Sequence, residues 1–243
     1  MLKNSIVVTI SIVSHNQSDL IELLLADLSE FGCNISLIIT INSGIVPNID
    51  VNKFNNVKFI QNTSPLGFGH NHNNAFLSCN TDVFIVCNPD IRVNKDNLYK
   101  ILFEYNDLTQ KSVWGPILLE HGEQAENGRN FPTFLNMIYR VMNLESPLLH
   151  DNNSGIIKVD WIGGMFMVFS KYNYSLVSGF DQDKYFMYLE DVDICKRLAI
   201  NRISVSLNTE TTVNHDAQRN SRKNIKHFYW HLTSLIKFLF LSK

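Results

Sequence analysis

Two stretches place carboxylates where they could do chemistry. Val83-Phe84-Ile85-Val86-Cys87 runs into Asn88-Pro89-Asp90, and Tyr185-Phe186-Met187-Tyr188-Leu189 runs into Glu190-Asp191, with Asp193 close behind. In the first, five unbroken apolar residues rich in β-branched types read as a strand buried on both faces, as in a parallel sheet covered by helices. Pro89 cannot donate to a ladder and restricts the residue before it, so the strand stops and Asp90 stands at its carboxyl end. Open α/β sheets bind ligands along that edge. A carboxylate there offers hard oxygens, which Mg²⁺ or Mn²⁺ takes alongside substrate phosphates. Asn-Pro-Asp is equally a good turn sequence, since all three residues favour turns. In the second stretch, three carboxylates open a helical pattern, where they complement the helix dipole. They also follow an aromatic run, which would desolvate a carboxylate and suit it to act as a base.

Other candidates are weaker one by one. Pro65 to Asn74 contains Gly67 and Gly69 in a close-approaching loop, and its polar run opens a helix through Ala75 to Leu77. Such a loop can hold a phosphate through backbone N–H groups, and an ordinary loop-to-helix junction looks the same. Gly163 and Gly164 interrupt a bent strand from Val159 to Phe169, permitting a bulge or close backbone approach to a ligand. His215 precedes Arg219, Arg222, Lys223 and Lys226; a lone histidine and a basic run read first as solvated groups.

The elements that must position these groups follow a β-α-β pattern. Ile6 to Val13 is the first strand, ending at Ser14-His15-Asn16. Ser18 caps a helix with Leu20, Leu24, Leu28 and Phe31 on one face, which Gly32 ends. Ile35 to Ile41 is the second strand, closing on Asn42-Ser43-Gly44, and Val57 to Ile60 a third. This is the pattern of a nucleotide-binding half. Beyond the central strand come a helix from Lys95 to Tyr105 and a strand from Val113 to Leu119. An irregular segment from Glu120 to Gly155 has a short helix near Phe134 to Met142. A helix from Tyr172 to Val177 stops at Gly179, and a last strand runs from Ile203 to Leu207. The final helix, Asn224 to Leu241, sets Phe228, Leu232, Leu235, Ile236 and Leu239 on one side, and Trp230, Phe238 and Phe240 widen that surface.

With 243 residues, 45% of them hydrophobic and 18% charged, the chain can build a sizeable core. A net charge of −2 argues against a nucleic-acid-coating protein. Cys33, Cys79, Cys87 and Cys195 are scattered without metal-ligand spacing and read as reduced, buried thiols of a cytosolic protein. Lys3 and the apolar run after it could pass for a signal peptide, but the run is short, contains Thr9 and Ser11 and lacks a cleavage site. No stretch approaches a membrane-spanning length.

Taken in order, the motifs resemble family-2 inverting glycosyltransferases of the GT-A fold, most of all bacterial rhamnosyltransferases that build O-antigen and capsule. The resemblance rests on Ser11 to Asn16, Leu66 to Gly69 with Asn71 and Asn74, and Cys87 to Asp90. It continues through Arg129 with Phe131-Pro132-Thr133, Val159-Asp160-Trp161 with Gly164 to Met167, Gly179-Phe180-Asp181, Tyr185 to Asp193, and His215. It covers most of the chain, and it is the collinear order that is specific.

The resemblance implies a single GT-A domain over 1–243: an α/β, Rossmann-like, mixed but mainly parallel sheet flanked by helices. A nucleotide-sugar half reaches to about 110, an acceptor half to about 220, and a C-terminal amphipathic helix follows. It implies Asp191 as the catalytic base, with Glu190 its competitor, and Asp90 with His215 at a Mg²⁺ or Mn²⁺ ion. Ser14, His15, Asn16, Asn42, Gly67, Gly69, Asn71, Asn88 and Asp90 fall on the donor side. Trp161, Gly163, Gly164, Arg219 and Arg222 fall on the acceptor or diphosphate side. The implied reaction moves L-rhamnose from dTDP-β-L-rhamnose, with inversion, onto a lipid-linked (polyprenyl diphosphate) oligosaccharide at the inner face of the cell membrane. The basic cluster Arg219, Arg222, Lys223 and Lys226 ahead of the broad apolar final helix suits an anionic membrane surface as a further partner, and packing of that helix on the domain or on a second subunit of a homodimer suits it equally. One departure stands out: relatives place an aspartate, which contacts the base, at the position of Ile41, and isoleucine cannot accept that hydrogen bond. A transferase for a UDP-hexose or galactofuranose, a sugar-1-phosphate nucleotidyltransferase and an inactive sugar-binding homologue remain alternatives.

Overall fold

The structure, a computed structural model, describes residues 7–104, 106–125, 127–132, 155–216 and 225–241. The strands are β1 (Val8–His15), β2 (Ile35–Ser43), β3 (Asn56–Gln61), β4 (Val83–Cys87), β5 (Ile91–Arg92), β6 (Ser112–Glu120), β7 (Glu123–Ala125), β8 (Gly128–Arg129), β9 (Ile156–Val159), β10 (Trp161–Ile162), β11 (Phe166–Ser170) and β12 (Ser204–His215). The helices are α1 (Ser18–Leu28), α2 (Phe68–Phe76), α3 (Lys95–Tyr99), α4 (Asn106–Lys111), α5 (Lys171–Leu176), α6 (Glu190–Ile200) and α7 (Ile225–Leu241). The main sheet runs β3-β2-β1-β4-β11-β6-β12-β5, with β7 beside β6 and β9 beside β12; β8 and β10 form a separate ribbon. The β3-β2-β1-β4 block is parallel, and β11 joins β4 antiparallel. The sheet is therefore mixed, and its nucleotide-binding pattern is confined to the N-terminal half.

β4 is buried on both faces. Val83, Ile85 and Cys87 pack into one apolar cluster with Ile10, Ile12 and Leu24; Phe84 and Val86 pack into another with Phe169, Tyr174 and Ile194. Alternate side chains of one strand thus seal two layers of helices, which is why the strand is apolar without a break. Cys79, Cys87 and Cys195 are buried thiols, and Cys33 is exposed. Among the described residues, no helix is long and apolar enough to cross a membrane.

Several elements differ from the sequence expectation. The stretch Val159 to Phe169 is three strands: β9 pairs with β12, β10 pairs with β8, and only β11 enters the centre of the main sheet. Gly163 and Gly164 lie in the turn that separates them. The last strand continues past Leu207 to His215, with an irregularity between Asn208 and Thr212. The helix from Lys95 gives way at Lys100 to a π turn before α4. Helix α2 begins at Phe68, just ahead of the polar run expected to open it, and ends at Phe76. Helix α1 starts from Gln17, whose N–H donates to the Ser14 hydroxyl, without a side-chain cap from Ser18. The short helix expected near Phe134 to Met142 lies outside the described residues.

Candidate active site

The carboxyl end of β4 turns through Asn88, Pro89 and Asp90 into β5, where the Ile91 N–H donates to the Asn88 carbonyl. β5 pairs antiparallel with the end of β12, setting His215 opposite Ile91. Residues 125 apart in sequence thereby meet: His215 Nε2 lies 3.4 Å from Asp90 Oδ2. The other ring nitrogen, Nδ1, is 3.0 Å from Glu120 Oε1, at the end of β6. Burial pulls the His215 pKa down, but the hydrogen bonds and charges of Asp90 and Glu120 outweigh it and raise the pKa overall. The second Asp90 oxygen, Oδ1, is buried without a hydrogen-bond partner. Among the described residues, no three His, Cys, Asp or Glu side chains converge as metal ligands.

Glu190 and Asp191 follow a strained entry. Tyr188 (φ 71°) and Leu189 (φ 65°) are consecutive non-glycine residues in the left-handed region. Such conformations cost of order 1–3 kcal/mol each and persist where the surroundings enforce them. Helix α6 then begins, and Asp191 accepts the Gly164 N–H (3.1 Å, Oδ2) and the Val192 N–H (2.9 Å, Oδ1). A Cβ on Gly164 would sit 3.2 Å from the Phe68 ring and 3.6 Å from Asp191 Cβ, so glycine keeps this approach open. The next residue, Met165, accepts the Asn88 N–H through its carbonyl at 2.9 Å. Adjacent residues of one turn thus hold both the Asn88-Pro89-Asp90 turn and the Asp191 carboxylate.

Desolvation raises the Asp191 pKa, and the Gly164 and Val192 N–H bonds oppose that rise. Glu190 is only 6% exposed and its Oε2 has no partner. Burial, and then the Asp191 charge, raise its pKa. Asp193 is bound differently: Arg197 Nε donates to it at 2.7 Å, and Lys184 Nζ stands 3.6 Å away. Of the three clustered acids, Asp193 is tied to Arg197 and Lys184, and burial raises the pKa of Asp191 and Glu190.

The donor-side residues divide by exposure. His15 and Asn16 are exposed at the carboxyl end of β1, whereas Ser14 is fully buried. Asn42 is buried, and its amide is used completely: Oδ1 accepts from Asn62 Nδ2 (2.7 Å) and the Leu66 N–H (2.8 Å), while Nδ2 donates to the Leu66 carbonyl (2.9 Å) and reaches His15 Nε2 (2.7 Å). Asn71 accepts from Asn62 and donates to the Gly67 carbonyl (3.0 Å). These side chains pin the loop before α2. Ile41 is fully buried in the core beside that network.

Gly67 and Gly69 have a packing reason. A Cβ on Gly67 would lie 2.5 Å from the Phe186 carbonyl oxygen, and one on Gly69 2.5 Å from Phe180 Cβ. The Phe68 N–H donates to that same Phe186 carbonyl (3.0 Å), so this first-turn donor faces the segment that leads into Glu190 and not a phosphate. On the other side, Trp161 donates its indole N–H to the Asn130 carbonyl (3.0 Å), and Gly163 donates to the Asn127 carbonyl (2.8 Å). Arg219 and Arg222 lie outside the described residues. Glu120 and Asn62 were missed from sequence, although each follows an apolar strand as a polar residue at the ligand-binding edge.

No protein-family profile matches the chain. It is similar to the rhamnosyltransferase WbbL of Escherichia coli K12, 28% identical over 253 residues, covering 96% of this chain and 92% of that protein. It is also similar to an N-acetylglucosaminyl-diphospho-decaprenol L-rhamnosyltransferase of Mycobacterium tuberculosis H37Rv, 23% identical over 223 residues, 79% of this chain and 70% of that one. Its fold matches a Pyrobaculum calidifontis mannosyltransferase in complex with GDP-Man and Mn²⁺ (TM-score 0.61, 13% identity, 95% of this chain). It also matches Staphylococcus aureus TarS (TM-score 0.59, 13% identity, 92% of this chain). The chain spans 64% and 38% of the lengths of those two solved chains. The fold is GT-A, the resemblance to family-2 rhamnosyltransferases stands, and the chain is a glycosyltransferase.

Proposed function

We propose that the chain transfers L-rhamnose from dTDP-β-L-rhamnose, with inversion, to a lipid-linked oligosaccharide of a bacterial surface polysaccharide, working at the inner membrane face. The observation that carries this reading is the shared turn at Gly164-Met165, which holds Asp191 beside Asn88-Pro89-Asp90 at the ligand-binding edge of the sheet. Asp191 takes the proton of the acceptor hydroxyl; its raised pKa strengthens it as a base, and its two N–H bonds fix its aim. Glu190, buried beside it, holds its proton more tightly than an ordinary carboxyl and limits negative charge at the site. His15 and Asn16 are accessible to the nucleotide.

A divalent cation fits Asp90 and His215. The buried, partnerless Asp90 Oδ1 is an oxygen that a cation would satisfy, and Nε2 of His215 faces the same carboxylate. Two protein ligands suit Mg²⁺ or Mn²⁺, which complete their shells with water and substrate phosphates. When bound, the ion takes up charge on the departing diphosphate. The fully buried Ile41 gives the base no hydrogen-bond acceptor, so base selection falls to other groups.

Nucleoside-diphosphate release across a panel of sugar nucleotides tests the proposal. dTDP-β-L-rhamnose should be turned over with kcat/KM about tenfold or more above UDP- and GDP-sugars. Preference for a UDP-hexose would overturn the donor assignment.

A further inference from the structure

The carboxyl end of β6 carries an acid to which the proposed reaction gives no part. Glu120 ends β6, and the chain turns through His121 (φ 53°) and Gly122 (φ 83°) into β7, where Glu123 pairs with Glu120. A two-residue turn with positive φ at both positions is a tight hairpin connection that holds its flanking residues in register. Along its other edge β6 runs parallel to β12, with Leu119 opposite Asn214. One residue further along each strand, Glu120 and His215 arrive side by side. The Glu120 backbone is thus fixed from two strands, and its Oε1 stands 3.0 Å from His215 Nδ1. As an ion pair alone this contact adds little to stability, because the Glu120 side chain is 31% exposed.

The contact matters for the other side of the ring. His215 Nε2 faces Asp90 Oδ2 at 3.4 Å, beside the buried, partnerless Asp90 Oδ1. The two nitrogens of an imidazole point apart, so Glu120 stands behind the ring and not among the ligands of an ion at Nε2; among the described residues no three such side chains converge. A ring nitrogen that coordinates a cation carries no proton, and the neutral imidazole keeps its one proton on the other nitrogen. At Nδ1 that proton has Glu120 as its acceptor. A carboxylate in this place fixes the tautomer and the ring orientation and makes the other nitrogen more basic. Without it, the ring is free to place its proton on Nε2 and donate to Asp90 Oδ2, which would occupy both groups that a cation needs.

We propose that Glu120 is a positioning residue for the divalent-cation site: it accepts the Nδ1–H of His215 and so turns an unprotonated Nε2 toward Asp90. The inference rests on the reading of Asp90 and His215 as the cation's protein ligands. Loss of the free Mn²⁺ electron paramagnetic resonance signal on titration with the full chain tests it without turnover. The titration is run in saturating dTDP and again in saturating UDP, so that an error in the donor does not decide the outcome. Glu120→Ala should raise the Mn²⁺ Kd about tenfold or more. Glu120→Gln should recover most of that loss, since its amide oxygen still accepts from Nδ1. In a His215→Ala background Glu120→Ala should change nothing further, because Glu120 acts through the ring. A wild-type Kd in Glu120→Ala overturns the proposal, as does an undiminished effect in the His215→Ala background or a Gln variant as weak as the Ala variant. Asp90→Ala separates the two readings. If it leaves Mn²⁺ binding unchanged, the cation site itself fails and the proposal with it; if it weakens binding while Glu120→Ala does not, only the role of Glu120 fails. Should Glu120→Ala unfold, Glu120→Met, of similar length and without a strong acceptor, takes its place under the same criteria.

Discussion

The loop before α2 and the entry to α6 are neighbours that treat polar groups in opposite ways. In the first, Asn42, Asn62 and Asn71 give neutral amides to one another and to the Leu66–Gly67 backbone, and the Asn42 amide is fully paired. In the second, Glu190 keeps a buried oxygen without a partner, and two left-handed residues precede it. Asp90, across the Gly164-Met165 turn, also has an unpaired buried oxygen. One region uses buried polarity to fix a loop, since a satisfied network is rigid. The other keeps unpaired buried oxygens and backbone strain, which stability alone would remove. The phenylalanines of the 180–186 segment join them: Phe186 takes the Phe68 N–H and fills the space that Gly67 leaves. The segment that carries Glu190 and Asp191 is therefore seated on the rigid one.

Breaking the rigid side should cost the most stability. Asn71→Ala leaves one buried Asn62 donor without its acceptor and removes one of two donors from the Leu66 and Gly67 carbonyls, which keep the Asn42 amide and the residue-71 backbone N–H; it should lower unfolding free energy by about 2–3 kcal/mol in a urea titration. A loss below about 1 kcal/mol would mean that the network is not what fixes the loop. Next in size is an acid effect at His72, which is fully buried against Ser11 and whose pKa burial lowers to about 3. The unfolded chain binds the proton near pH 6.5 and the folded chain does not, so stability should fall as pH drops below 6.5. The loss is about 2 kcal/mol by pH 5, and His72→Gln should abolish that slope.

The Glu190 side should respond with the opposite sign. Glu190 has a folded pKa above its unfolded value of 4.5, so its ionisation costs stability as pH rises through the folded value. Glu190→Gln should therefore stabilise the fold by about 1–2 kcal/mol near pH 8. The gain should vanish below pH 4.5, where the unfolded carboxyl is protonated too. Destabilisation at pH 8 would show that Glu190 is a structural acid like Asp193.

How much of this was readable depended on the range of the interaction. The apolar run Val83–Cys87, the stop at Pro89 and the acids at 190 and 191 are local, and the structure puts them at a strand end and a helix start. The meeting of Asp90 with His215 follows from strand pairing between β5 and β12, which two short polar segments do not advertise. Glu120 joins them because β6 runs parallel to β12, a register with no sequence signal. Gly67 and Gly69 look like a phosphate loop because their real neighbours, Phe186 and Phe180, are more than a hundred residues away. The stretch Val159 to Phe169 reads as one bent strand because Trp161-Ile162 and Met165 to Phe169 are apolar with only Gly163-Gly164 between them; the sheet topology divides them.

The central claim is that the Asp191 carboxylate, aimed by Gly164, is the proton acceptor. Asp191→Asn keeps the shape of the side chain and removes its basicity. With dTDP-β-L-rhamnose and a lipid-linked acceptor, turnover should fall by about 10²–10⁴, with donor Kd by calorimetry changed less than about twofold. A variant that binds donor normally and still turns over near the wild-type rate would contradict the account.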